Sequence, residues 1–299
     1  MKKILTLVSL IAIASLLLTA CGGGGGAKSA DMLADIQKRG YILVSTDPNY
    51  APQSFLNTEG KRPANTKCPS DALTTTEMQG FDVDVAISIG DSLGVETCFA
   101  TPDWDSITAG NWANKWDVSV GSMGILPSRA KVVDFSVPYY YTPAIIAVGK
   151  DSGITSFDQL SGTALCVGVA TTYEDWLNGK LEALPEYIYK QPPANVTVVS
   201  LPTDQECAQA IAVGRKDFVG YVTSETVVDA NLAADMPVVK LEGAVFTDAC
   251  AAAFDKASSL DTTSLRAKVD ELFTKMHTDG TLTALSTKWF AKDWTTSPK

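Results

Sequence analysis

The chain has 299 residues, with 24 Lys and Arg against 34 Asp and Glu, a formal charge of −10 and one histidine. The absence of any basic run argues against nucleic acid as a partner. A sole His277 near the C-terminus offers little basis for Ser-His-Asp or Cys-His catalysis.

Met1-Lys2-Lys3 followed by the apolar Ile4–Leu18 reads as an export signal. Leu18-Thr19-Ala20-Cys21 resembles a bacterial lipobox, which implies cleavage after residue 20 and a lipid anchor on Cys21. Gly22–Gly26 then form a flexible tether, and no Gly-Lys-[Ser/Thr] follows them to make a phosphate loop. About 280 residues remain, enough for two lobes with their own cores. No later stretch is long and apolar enough to span a bilayer.

A short helix is expected from Ser29 to Arg39, stopped by Gly40, and then a buried strand Tyr41–Thr46. The loop Asp47-Pro-Asn-Tyr-Ala-Pro52 breaks that strand, and residues 56–77 read as a polar insertion pinned by Cys68. A helix opening at Gly80-Phe81 carries Phe81, Val85, Ile89 and Leu93 on one face. Strand Val95–Ala100 and a helix starting near Asp103-Trp104 follow. The alternating Trp116–Val120 runs into Gly121, Ser122 and Gly124, where backbone can approach a ligand closely. Arg129 lies five residues on, ahead of the strand-like Val132–Phe135. Its planar fork suits a carboxylate.

After the strand Pro143–Val148, Gly149–Gly153 reads as a glycine-rich crossing. A second α/β unit is expected beyond it: strand Leu165–Ala170, helix Thr171–Leu184, strand Val196–Leu201, helix Asp204–Val213 and strand Asp217–Thr223. Met236–Leu241 and the extended run Ala244–Phe254 come next, the latter as the return crossing. The last helix places Leu265, Val269, Leu272 and Met276 on one face.

Several stretches together resemble one family. Gly121–Tyr141, GSMGILPSRAKVVDFSVPYYY, is similar to the G-x-[ST]-x-T-x-x-R-x-x-x-[IV]-[DE]-F-[ST]-x-P-Y-Y segment of bacterial solute-binding proteins, family 3, the polar amino acid type. Asp47, Tyr50, Pro52 and Phe55 fall on its D-x-x-[YF]-x-P-x-x-[FY] loop. The GFDVD opening at Gly80, the Gly168-Val-Ala-Thr-Thr172 turn and the ending Asp279-Gly-Thr … Lys288-Trp-Phe290 match as well.

The resemblance implies a two-lobed α/β periplasmic-binding-protein-like type II fold with a two-strand hinge. Lobe 1 would comprise residues 31–148 plus 250–299, and lobe 2 residues 149–249. It implies a non-enzymatic, monomeric subunit that holds a small-molecule solute between the lobes, without a cofactor or metal, and delivers it to an ABC permease. Arg129 would grip a carboxylate, with Thr171 and Thr172 clamping it at a helix start. Ser122, Tyr50, Trp104, Tyr221 and Asp47 would complete the site. Within the lobes, Cys68–Cys98 and Cys166–Cys207 are the expected disulfides, leaving Cys250 free.

Two departures bear on the ligand. Gly124 replaces a hydroxyl residue, and Val222 stands where the spacing D-A-x-x-x-D places an ammonium-binding Asp. The solute's α-amino group would then need Glu225, Asp47 or an aromatic cage including Tyr221, or the solute would be a non-amino-acid carboxylate or quaternary amine. A dehydratase-like enzyme of the cyclohexadienyl type is the alternative on the same scaffold, with Glu225 as its general acid.

Overall fold

The computed structural model describes residues 30–298; the export signal and Cys21 fall outside the described residues. Helix α1 (Met32–Arg39) starts at Asp31, whose carboxylate accepts the Ala34 N–H, and buries Met32 and Ile36. Strand β1 (Tyr41–Ser45) leads into a small antiparallel sheet of β2 (Asn49–Tyr50), β3 (Ser54–Leu56) and, beyond β4 (Leu73–Thr74), β5 (Met78–Gln79). Helix α2 (Phe81–Leu93), strand β6 (Glu96–Ala100), helix α3 (Trp104–Thr108) and strand β7 (Val118–Gly124) complete a βαβαβ unit. In it β6, β1 and β7 lie parallel.

Strands β8 (Val133–Phe135) and β9 (Tyr140–Gly149) end this half. The second half repeats the scheme with β10 (Ala164–Gly168), α4 (Thr172–Leu177), β11 (Thr197–Leu201), α5 (Asp204–Ala212) and β12 (Gly220–Ser224). There β11, β10 and β12 are parallel. Helix α6 (Glu225–Ala233), strands β13 (Val238–Lys240) and β14 (Phe246–Asp255), and helices α7 (Thr263–Thr278) and α8 (Thr281–Phe290) follow.

One antiparallel pair joins the two parallel units. Residues 140–144 of β9 pair with 246–250 of β14, after which β9 pairs with β12 and β14 with β7. The core of the first lobe gathers Ile42, Phe81, Ile89, Val120, Phe254 and Phe273. Two clusters fill the second, one around Leu165, Trp176 and Phe246 and the other around the Cys166–Cys207 disulfide. Ala144, Ile146 and Val148 already pack in the second lobe. The first crossing therefore precedes Gly149–Gly153, whose glycines mark the turn that follows it.

Both expected disulfides form, and Cys250 is buried and free. Trp112 and Trp116 pack against each other in the core at a tilt, ring centres 5.3 Å apart. Two helices differ from expectation. The helix expected over 171–184 ends at Leu177 with Asn178 as its cap, because Gly179 takes a left-handed φ and Pro185 opens a separate turn. Helix α6 was not expected. Its Thr226-Val-Val228 reads as β-prone, but Ser224 caps it by accepting the Val227 N–H.

Candidate functional site

Between the lobes lies a partly open cavity, at the kind of lobe interface where small-molecule sites form. The first lobe contributes the loop after β1 (Asp47, Tyr50), Trp104 at the start of α3, and Ser122 and Arg129 after the β7 bend. The second contributes Gly168, Thr171–Tyr173 and the start of α5, with Asp248 arriving on β14. Seven of the eight expected ligand-binding residues meet here: Asp47, Tyr50, Trp104, Ser122, Arg129, Thr171 and Thr172.

Arg129 opens a short 3-10 turn and is 7% exposed. Its Nη1 donates to the Gly124 carbonyl at 3.0 Å and its Nη2 to the Ala170 carbonyl at 2.9 Å, so the side chain reaches from one lobe to the other. The indole of Trp104, 5.7 Å from the guanidinium carbon, donates to the same Ala170 oxygen. Ala170 has a left-handed φ of 59°, a costly state for a residue with a Cβ, which aims this carbonyl across the cleft. Burial pulls the Arg129 pKa down, against the attraction of Asp248.

Two carboxyl groups face this guanidinium's cavity, and neither was expected there. Asp248 Oδ2 accepts a 2.6 Å hydrogen bond from Thr172 Oγ1. Burial pushes Asp248 up to about 6, while Thr172 and Arg129 oppose the rise. Asp204, the first residue of α5, accepts from the Gly168 N–H at 2.7 Å and from Thr223 Oγ1 at 2.9 Å. Burial raises it to about 7, against those two hydrogen bonds. Asp47 is also raised by burial, and its carboxylate accepts the Asn49 N–H as a loop cap.

Each buried carboxyl lies against a glycine. A Cβ on Gly124 would stand 2.7 Å from Asp248 Oδ1, and one on Gly168 would stand 2.5 Å from Asp204 Oδ1. The hydroxyl that Gly124 lacks is thus replaced by the Asp248 carboxyl, which occupies its space. The available signal for Asp248 was a charged residue inside the largely apolar Phe246–Phe254, since an Asp is seldom buried without a task. Asp204 carried only the signature of a helix start.

Other expectations need correction. Tyr221 does not line the cavity: it is fully buried beside the Cys166–Cys207 cluster, where its hydroxyl accepts from Asn231 Nδ2. Val222, on the opposite face of β12, lies in the other second-lobe cluster. The strand reaches the cleft two residues later, at Ser224, whose Oγ accepts from Tyr50 Oη at 3.1 Å. Glu225 pairs with Lys240, and His277 Nε2 lies 2.8 Å from the Pro138 carbonyl, so neither belongs to the cavity.

The Thr171 hydroxyl is engaged, donating to the Gly168 carbonyl and accepting the Glu174 N–H as a cap. Ser122 has φ 56°. Its Oγ donates to Asp82 and accepts from Tyr140, and its N–H donates to Tyr139. Its hydroxyl and N–H are therefore both engaged within the first lobe.

The model of the bacterial extracellular solute-binding proteins, family 3, matches residues 42–292. The L-cystine-binding protein TcyJ of Escherichia coli strain K12 is 28% identical over 271 residues, 88% of each chain. Among solved structures, the ancestral amino acid-binding protein AncCDT-1, a precursor of cyclohexadienyl dehydratase, superposes with a TM-score of 0.69 at 27% identity, over 87% of this chain and 100% of that one. An ancestral arginine-binding protein bound to arginine gives 0.66 at 26%, over 84% and 98%. A match over most of the sequence, on a sheet whose only joint between lobes among the described residues is the β9–β14 pair, identifies the chain as a member of the bacterial extracellular solute-binding proteins, family 3.

Proposed function

We propose that this chain is the substrate-binding subunit of an ABC importer, and that its solute is a small amino acid with an α-carboxylate and at least one cationic group. The observation that carries this reading is one buried guanidinium sharing an interlobe cavity with two buried carboxyl groups. No charged partner lies within ion-pair distance of any of the three among the described residues. Buried charges of this kind are costly until a complementary ligand arrives. Arg129 takes the carboxylate with the donors left after its two carbonyl bonds. Asp204 and Asp248 take the cationic group or groups. Trp104 and Tyr50 flank the solute, Thr172 acts through Asp248, and Asp47 stands at the cavity edge. The names of the cystine- and arginine-binding relatives fit a solute with more than one ammonium or guanidinium group.

In this reading Cys21 carries the lipid, residues 22–30 tether a monomer to the membrane, and the closed form is what the permease receives. The lobe division follows residues 31–148 plus 250–299 and 149–249, except that the first crossing lies within β9 and Ala144–Val148 belong with the second lobe. Binding is the activity we propose, and Glu225, the general acid of the dehydratase alternative, is held by Lys240 outside the cavity.

A thermal-shift screen across cationic and neutral amino acids, dicarboxylates, sulfonates and quaternary amines tests the solute class. Cationic amino acids and cystine are expected to raise the melting temperature most. Arg129→Ala is expected to abolish that shift, a loss of about 2–5 kcal/mol in binding, while circular dichroism shows an intact fold. A full ligand-induced shift in Arg129→Ala, or hits confined to dicarboxylates, overturns the reading.

A further inference from the structure

The Cys166–Cys207 disulfide lies under one of the two cavity carboxyls rather than in a remote part of the core. Cys166 is two residues before Gly168 on β10, on the same face of the strand, and Cys207 is three residues after Asp204, on the neighbouring turn of α5. The covalent bond and the Gly168 N–H to Asp204 hydrogen bond therefore tie together the same strand end and the same helix turn. Both cysteines are fully buried.

Asp204 is under load at this position. Burial opposes its charge, and the nearby Asp47 adds repulsion. Sliding or tilting the first turn of α5 toward solvent would relieve both. Two hydrogen bonds resist that movement, and the disulfide adds a covalent tie at the same turn. The other disulfide, Cys68–Cys98, ties the 56–77 insertion to β6; no cysteine of either disulfide lines the cavity, but only Cys166 and Cys207 share their strand end and helix turn with cavity residues.

We propose that the Cys166–Cys207 disulfide is a positioning element of the ligand site, holding Asp204 in the cavity where it meets the solute's cationic group. The proposal rests on the amino-acid reading above. Opening the disulfide leaves the fold in place and selectively weakens binding, because α5 relaxes and carries its carboxylate toward water.

The test is isothermal titration of L-arginine, with L-cystine as a second probe, into the full chain and its variants. Cys166→Ala/Cys207→Ala is expected to weaken binding about tenfold or more and to shift the pH midpoint of binding downward, since a better-solvated Asp204 ionises more easily. In an Asp204→Asn background the same double substitution is expected to change affinity by less than about threefold. Cys68→Ala/Cys98→Ala is expected to lower the melting temperature with affinity unchanged. Cys166→Ala/Cys207→Val, which refills the core, serves if the double alanine does not fold. Binding by the double variant equal to that of the intact protein overturns the proposal, as does an equal loss with and without Asp204. Failure of both probes to bind the intact protein overturns the amino-acid reading itself, and the proposal with it.

Discussion

Gly124 and Asp248 are 124 residues apart in sequence and share one volume. A Cβ at Gly124 would also lie 3.2 Å from Thr172 Cγ2, so both neighbours would have to move. Gly124→Thr, which supplies the hydroxyl suggested by the family pattern, is expected to destabilise the closed form by about 1–3 kcal/mol through overpacking. Its ligand affinity should fall accordingly in titration calorimetry, and adding Asp248→Ala should restore the melting temperature but not the affinity. A single variant that binds normally would show that Asp248 does not fill this space. Single residues were readable here to the extent that their chemistry is local. Arg129, Trp104 and Tyr50 stand in motifs that carry their meaning in a few consecutive positions. Asp204 and Asp248 acquire theirs only from a glycine on another strand, and no window of sequence contains both partners.

At the scale of elements, the β2–β3 hairpin and the start of α6 form a seam across the cleft. Gln53 Nε2 donates to Thr226 Oγ1 at 2.6 Å and to Ser224 Oγ at 3.2 Å, and Tyr50 Oη joins Tyr173 and Ser224. Gln53 is fully buried, yet its Oε1 has no partner. These bonds can exist only when the lobes meet. Gln53→Ala should therefore leave the unliganded melting temperature nearly unchanged and raise Kd about tenfold, equivalent to roughly 1–2 kcal/mol taken from the closed form alone. Unchanged affinity would remove the seam from the account of closure. The elements themselves were mostly legible, because hydrophobic periodicity and glycine or proline stops are local signals. Helix α6 was lost because its Thr-Val-Val run favours a strand, and tertiary contact decides such cases. Val222, where the family spacing would put a carboxylate, packs in the core, and the strand reaches the cleft at Ser224.

For the whole molecule, the three carboxyls raised furthest set the response to pH. Asp204 and Asp82 are pushed up to about 7 and Asp248 to about 6, in each case chiefly by burial. The unliganded fold thus holds protons that the unfolded chain releases near pH 4, so its stability falls as pH rises from about 4 to about 7. Asp279, drawn down to about 2 mainly by Lys275, acts in the opposite sense, but its window lies below pH 4. A cationic solute reverses the demand, since it needs Asp204 and Asp248 charged. Affinity should rise from pH 5 to pH 7, at most about tenfold per pH unit for each proton released. Calorimetry in two buffers of different ionisation enthalpy measures that release directly, and a heat independent of buffer would sink the assignment. The architecture was legible at this scale because motifs spread along the chain agree on one fold, whereas the protonation of the cavity depends on burial.

The β9–β14 pair has a mechanical consequence. Two adjacent antiparallel strands form a ribbon, bonded from Tyr140 to Phe246, that resists shear within its own plane and bends across it. The lobes are therefore restricted to swinging about one line. Asp248 sits on that line, opposite Thr142 in the pairing, while Asp204 and Arg129 lie to either side of it. A group near the axis barely moves as the angle changes, and groups on the lever arms sweep toward each other. An entering solute can thus settle against Asp248 first and be enclosed by the other two as the arms come together, with the small rotation at the ribbon magnified at the far ends of both lobes.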